Sequence, residues 1–371
     1  MTQIASSYRT EYMNPQVAHP ARERSHKEMS IFHQLHKEIL ALHSSINNVK
    51  DLEEKSFVIG MGATQLINAA IYAYRKKLGS PDCKLAAVRP FYYLVPGMAD
   101  RAKGYQFMAT DSDDEKHQRI IEIVTFPRNP DGHLNLAAST ETPFVIHDNV
   151  FYWPSFIPAW MKLLQQGADT TSAFPPLSLD ISLFSLSKFC GLSGSRLGWA
   201  FVKDKEIADH MADYIYYSTH GLSVDSMYRA LNILRFLNAD RNVFQMFDVV
   251  SSTLLARWNW MRDLFRGSKK FQLAGEHGFT VCWIRCLDYP VIATSGGVDT
   301  PTRSCAWEFR KVGILARDGS EFGLTGHVRL NMMIHETTWK QVQPLLKELV
   351  TFDSLYSLIP SNSGANSAFS S

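Results

Sequence analysis

The chain has 371 residues, with 38 basic against 36 acidic side chains and a formal net charge of +2, so it carries no strong field of either sign and nucleic acid is a poor first partner. Its 45% hydrophobic and 20% charged content is that of an ordinary soluble protein with material for a large core, and no run approaches the roughly 18 apolar residues of a membrane span. The opening MTQIASSYRTEYMNP has no apolar signal-peptide core, and the five cysteines (Cys83, Cys190, Cys282, Cys286 and Cys305) are an odd number without framework spacing. Cys282 and Cys286 lack a second Cys/His pair at zinc spacing, so no metal site is expected. The expectation is a cytoplasmic protein with reduced thiols.

After a polar arm of about 25 residues, MSIFHQLHKEILALHSSI places Ile31, Leu35, Leu40 and Leu42 near helical spacing and predicts a helix. SFVIGMG then reads as a strand running into a glycine turn, and ATQLINAAIYAYRKKLG as a helix ending at Gly79. Short β-rich runs follow: LAAVRP, RIIEIVTFP, TPFVIHD, ISLFSLS and GWAFVKD, spaced by turns or helical segments. That alternation predicts an α/β fold with a mostly parallel sheet. From about Lys203 the chain is helix-dominated and should include a long helix leading to a smaller C-terminal α+β domain. FTVCWIRC and HVRLNMM are its strands and TTWKQVQPLLKELVTF its last helix. The expected organisation is an arm and helix over 1–45 that joins the small domain, a large domain over 46–235, a small domain over 236–358, and a disordered Ser/Gly/Asn-rich tail over 359–371.

The segment with the most chemistry is FSLSKFCGLSGSRLGW, residues 184–199. Lys188 is flanked by Ser185 and Ser187, and Arg196 follows among Gly191, Gly194 and Gly198. Taken alone this is a glycine-rich turn with two surface cations. The apolar runs on either side would bury the cations' surroundings, however, and buried cations require partners. A phosphate would satisfy two hydroxyls and a planar guanidinium. A desolvated amine near other cations has a lowered pKa and can form a Schiff base. In GMGATQ, Gly62 enters a helix, so the amides of Ala63 and Thr64 and the Thr64 hydroxyl could face an anion, although a plain N-cap explains them equally well. By the same standard Tyr92 is a core tyrosine or an aromatic platform, Asn129 a turn residue, Asp148 a strand-end carboxylate and Arg329 a strand arginine.

The S-x-S-K-x-x-G-x-x-G-S-R-x-G-W pattern resembles fold-type-I pyridoxal-phosphate (PLP) enzymes of the aspartate aminotransferase superfamily, and within it the alliinase and plant tryptophan aminotransferase group. FVIGMGATQLINAAIYA, RPFYYL, FPRNPDG, VIHDNVFYWP and HVRLNMM occur in the family's order, covering about Phe57 to about Met333. The resemblance implies a PLP-dependent transferase fold working as a homodimer on small amino and 2-oxo acids. It implies that Lys188 holds PLP and moves the substrate proton, and that Gly62, Ala63, Thr64, Ser185, Ser187 and Arg196 surround the phosphate. Tyr92 would stack on the ring, Asp148 would hold the pyridine nitrogen, Asn129 would touch the phenolic oxygen and the substrate carboxylate, and Arg329 would grip that carboxylate. The implied activity is transamination of an L-amino acid, aromatic by family, with a 2-oxo acid acceptor. An alliinase-type C–S lyase is the alternative; the lack of a cysteine-rich module and of a secretion signal favours transamination. A non-catalytic PLP-fold binding protein is a third possibility, disfavoured because Lys188, Asp148 and Arg196 are all retained.

Three departures stand out. Phe151 occupies the position where relatives place a tyrosine, three residues after the aspartate, so the cofactor's phenolic oxygen loses a donor and the Schiff base is expected to titrate higher. Tyr152 follows and is expected to face elsewhere. MKLLQQGADTTSAFPPLSLD looks longer than the family's connection, as a flap, a partner contact or a tolerated surface insertion. Tyr8 and Tyr12 are available to replace the relatives' N-terminal tyrosine element that enters the neighbouring subunit's site.

Overall fold

The short apolar runs assemble into one seven-stranded sheet in the computed structural model, which describes residues 30–79, 83–101, 105–110, 120–134, 144–174, 176–296 and 304–356. Tyr8, Tyr12 and the tail over 359–371 lie outside the described residues. The strands are β1 (Ser56–Gly60), β2 (Cys83–Val88), β3 (Tyr105–Thr110), β4 (Ile120–Thr125), β5 (Phe144–Asp148), β6 (Ile181–Ser185) and β7 (Gly198–Val202), in the order β1-β7-β6-β5-β4-β2-β3. Neighbours from β6 through β3 pair parallel; only β7 runs against its neighbours. β4 and β6 are buried at every position, as strands covered on both faces must be.

Helix α1 (Ile31–Ile46) begins at Ser30, whose hydroxyl accepts from the His33 amide. Ile31, Leu35, Ile39, Leu42 and Ile46 form its buried stripe. Helix α2 (Ala63–Leu78) ends at Gly79 in the left-handed region, as its sequence predicts. Helices α3 (Val95–Arg101), α4 (Pro158–Gln165), the single turn α5 (Leu186–Phe189), α6 (Lys205–Thr219) and α7 (Val224–Asn238) follow, and α6 lies beside α2 on one face of the sheet. The long helix α8 (Asn242–Phe265) leads to an antiparallel four-stranded sheet of β8 (Phe271–Leu273), β9 (Val281–Cys286), β10 (Arg317–Asp318) and β11 (His327–Asn331), ordered β10-β11-β9-β8. Helices α9 (Cys305–Lys311) and α10 (Glu336–Tyr356) complete it. No helix among the described residues is long and apolar enough to cross a membrane.

One expectation needs correction, and two segments find packing partners that the sequence did not name. Helix α1 packs against α7 and the Phe57–Phe184–Phe201 face of the large sheet. His43 is buried at the helix's end: its Nε2 accepts from Trp199 Nε1 at 2.9 Å, so its Nδ1 carries the proton and donates to Asn48 Oδ1 at 2.7 Å. The cysteines are not all reduced, because the end of β9 and the start of α9 bring Cys286 and Cys305 to a Cα separation of 5.6 Å, where they form a disulfide. The extra connection after α4 is not a free flap: Phe174 stacks on Trp160 at 5.3 Å, and Leu177 exchanges backbone hydrogen bonds with Asn48 and Lys50.

Candidate active site

The carboxyl ends of β1, β2, β4, β5 and β6 each release a segment bearing a residue singled out by the sequence, as expected for ligand sites of parallel sheets. Strand register sets their spacing. Gly60 pairs with Gly198, and Gly198 with Ser185, so the glycine turn before α2 abuts the lysine segment. A Cβ on Gly198 would stand 2.9 Å from the Gly62 carbonyl carbon, so only glycine allows this approach.

The turn before α2 has the makings of an anion seat. Gly62, at φ 80°, caps the helix with no side-chain bond, leaving first-turn amides free to point outward. The Arg196 guanidinium closes over it, donating to the carbonyls of Ser193 at 2.9 Å and Met61 at 3.2 Å. It has no acidic partner among the described residues. Arg196 holds its backbone at φ 46°, a left-handed conformation that costs a non-glycine residue about 1–2 kcal/mol and turns the side chain back toward Gly62. A Cβ on Gly62 would meet Arg196 Nη2 at 2.7 Å.

Lys188 stands on α5 directly after β6. Ser185 is buried and serves as the cap: its Oγ accepts from the Ser187 amide at 3.0 Å and lies 3.1 Å from the Leu197 carbonyl. Of the two flanking hydroxyls, Ser187's is the half-buried one, 2.9 Å from Ser185 Oγ. The Lys188 side chain reaches solvent at the cleft, yet protein crowds its amine. That desolvation, then the Arg329 charge, lowers its pKa; Asp148 opposes and Arg196 adds to the lowering. Lys188 Nζ lies 5.5 Å from the centre of the Phe151 ring. Tyr152 instead packs between Phe126 and Trp160, away from the amine.

Asp148 ends β5 fully buried, with one long bond from the Val150 amide at 3.4 Å. Burial raises its pKa from 3.8 to about 6, and the Val150 amide and the Lys188 charge act in the other direction. A carboxylate this deep needs a cationic or N–H partner. Tyr92 is held by a side-chain hydrogen bond with Thr64; burial, then the Asp148 charge, pushes its phenol up. Tyr93 meets it edge-on at 5.1 Å.

Across the cleft, Arg329 on β11 donates Nη1 to Asn129 Oδ1 at 3.2 Å and lies over the Phe322 ring at 5.1 Å. Its Nε is buried without a partner, and burial, then the Arg317 charge, lowers its pKa to about 10. Asn129 is itself buried, in a turn that Arg128 and Asp131 brace from both sides and that Gly132 closes by donating to the Arg128 carbonyl at 2.7 Å. The sequence reading missed Arg317, Glu321 and Phe322, which stand beside Arg329; a two-residue strand gives too little periodicity to flag them.

Residues 22–350 match the model of the alliinase family (described as Allinase). The chain belongs to the alliinase family. Tryptophan aminotransferase-related protein 3 of Arabidopsis thaliana is 30% identical over 347 residues, covering 87% of this chain and 70% of that protein. Alliin lyase of Allium cepa var. aggregatum is 31% identical over 215 residues, covering 56% of this chain and 44% of that protein. Among solved structures, the aromatic aminotransferase from Pyrococcus horikoshii OT3 superposes with a TM-score of 0.66 at 14% identity, over 96% of this chain and 93% of that one. An aspartate aminotransferase mutant from Thermus thermophilus superposes at 0.63 and 14%, over 93% and 91%. The fold is therefore that of aspartate aminotransferase-like enzymes, and the family's cofactor is pyridoxal phosphate. This alliinase-family cleft fits that cofactor: a guanidinium without an acidic partner among the described residues and helix amides without a side-chain cap suit a phosphate, a buried carboxylate held by one long amide bond suits a pyridinium nitrogen, and a crowded amine suits an aldehyde.

Proposed function

We propose that the protein is a pyridoxal-phosphate-dependent aminotransferase that takes an L-amino acid, aromatic in side chain, and passes its amino group to a 2-oxo acid. The observation that carries this reading is the Arg329–Asn129 pair: a guanidinium with a buried, partnerless Nε and, among the described residues, no ion pair to an acidic side chain, close enough to Lys188 to bear on its charge. A substrate α-carboxylate fits this fork bidentately and leaves the α-carbon turned toward Lys188.

When bound, the cofactor supplies a pyridine ring that accepts the electron pair left as the α-proton departs. Arg196, Ser187 and the amides of Ala63 and Thr64 would hold its phosphate, Asp148 its ring nitrogen, and Tyr92 its face. The Lys188 amine, with its pKa lowered, is the group that would take the proton from the substrate's α-carbon and hand it to the carbon that had carried the cofactor's aldehyde, across the intervening nitrogen. The partly exposed rings of Tyr92 and Tyr93, with the buried Phe322 ring packed behind Tyr93, suit a flat side chain, and a homodimer is the assembly we expect.

A second reading, expulsion of a β-substituent as in a C–S lyase, draws support from the alliin lyase similarity, and the same carboxylate grip and lysine would serve it. A single-turnover screen of amino acids without acceptor separates the two. An aminotransferase releases one equivalent of 2-oxo acid per site and no ammonia; a lyase releases pyruvate and ammonia together, many times over. If neither occurs with any amino acid, the enzyme reading fails.

A further inference from the structure

Arg329 has an arginine neighbour. In the small sheet Arg317 on β10 pairs in register with Arg329 on β11, so both side chains leave the same face. The Arg317 guanidinium rests on the Tyr93 ring at 4.1 Å and donates Nη1 to Glu321 Oε2 at 2.6 Å. The other oxygen of Glu321 accepts from the Asp318 amide at 3.2 Å, in a capping box that the Asp318 side chain completes by accepting from the Glu321 amide; Asp318 Oδ1 also accepts from the Ser320 amide at 3.0 Å. Glu321 directly precedes Phe322, the ring beneath Arg329. The carboxylate that shares this corner with Arg329 is thus held by both oxygens.

We propose that Arg317 is a positioning residue: by holding Glu321 it prevents that carboxylate from pairing with Arg329, and so keeps Arg329 open for the substrate's α-carboxylate. This rests on the carboxylate-binding role given to Arg329 above. Glu321 has only 19% of its side chain exposed, and a carboxylate that deep, deprived of its cation, turns to another. Arg329 is the cation on the same face, and Glu321 already bears on it electrostatically. Glu321 would then compete with substrate from within the protein.

The test is calorimetric binding of 3-phenylpropionate, a carboxylate with no amine to react, to the holoenzyme. Arg317→Gln is expected to bind it about tenfold more weakly, the scale of one lost charge-assisted hydrogen bond. Arg317→Lys keeps the ion pair and stays close to wild type, and Glu321→Gln binds no more weakly than wild type. The decisive variant is Arg317→Gln/Glu321→Gln, which is expected to recover to within about threefold of wild type because the competitor is gone. In turnover, Arg317→Gln raises KM for the amino acid while kcat stays within about threefold. A double variant as weak as Arg317→Gln, or an Arg317→Gln indistinguishable from wild type, overturns the proposal while leaving the role of Arg329 intact. If Arg329→Gln does not weaken 3-phenylpropionate binding, both fall.

Discussion

Phe151 offers the Lys188 amine only the face of a ring, 5.5 Å away, where a tyrosine would add a hydroxyl. Restoring that hydroxyl with Phe151→Tyr is expected to move the absorbance titration of the bound cofactor to lower pH, because a donor to the phenolic oxygen favours its anionic form. Coincident titrations in the two proteins would refute this. Asp148 permits a second test, on protein stripped of cofactor. Its folded pKa of about 6 lies above the unfolded 3.8, so its contribution to stability is full below the unfolded value and is lost as pH rises through about 6. The loss is on the order of 3 kcal/mol. Cofactor-free Asp148→Asn should therefore melt above wild type at pH 7.5 and approach it at pH 4.5. Equal melting temperatures at both pH values would show that the carboxylate is not strained by burial. With cofactor bound, the same variant should lose turnover by at least about a hundredfold, since the ring nitrogen loses its charged partner.

At the scale of elements, the docking of α1 depends on histidines that must stay neutral. Burial lowers the pKa of His36 and of His43 to about 4; against that, the Asn48 bond raises that of His43 slightly. A folded pKa below the unfolded 6.5 gives stability that is present above 6.5 and lost as pH falls toward 4. His43→Ala is expected to cost about 2–4 kcal/mol in urea denaturation at pH 7, from the cavity and from unpaired Trp199 and Asn48 groups, and less at pH 5. A loss that does not depend on pH would argue against protonation as the cause. The stripe of α1 was legible in the sequence because helical period is local; its partner was not, because the bond to Trp199 joins residues 156 apart. The same holds at the cleft. Lys188, Asp148, Asn129 and Arg329 could be named because each sits in a motif with its own order, whereas Arg317 and Glu321 acquire meaning only when β10 is laid against β11.

Over the whole molecule, runs such as RIIEIVTFP and ISLFSLS became strands where expected, since buried parallel strands read as continuous apolar segments. The reversal of β7 left no such trace, because strand direction is set by the chain's path and not by its composition. The disulfide was equally hidden, its cysteines being 19 residues apart with no pairing signature. Denatured without reductant, the protein should show three titratable thiols, those of Cys83, Cys190 and Cys282, and five after reduction. Five from the start would mean the bond is absent in solution. Cys305→Ser should lower unfolding stability by about 2–4 kcal/mol, the range for closing a loop of this size.

The reversed strand also bears on how the cofactor leaves. Because β7 turns straight back along β6, with Ile181 opposite Val202 and Ser185 opposite Gly198, the connection over 186–197 carries both Lys188 and Arg196. On the proposed assignment, the covalent and the ionic attachments of the cofactor therefore belong to a single hairpin. Such a unit opens as a whole or not at all. One excursion would draw both anchors away from Asp148 and the α2 amides and expose the Lys188 bond to the water that must cleave it, so the lifetime of the loaded enzyme follows the opening frequency of this hairpin.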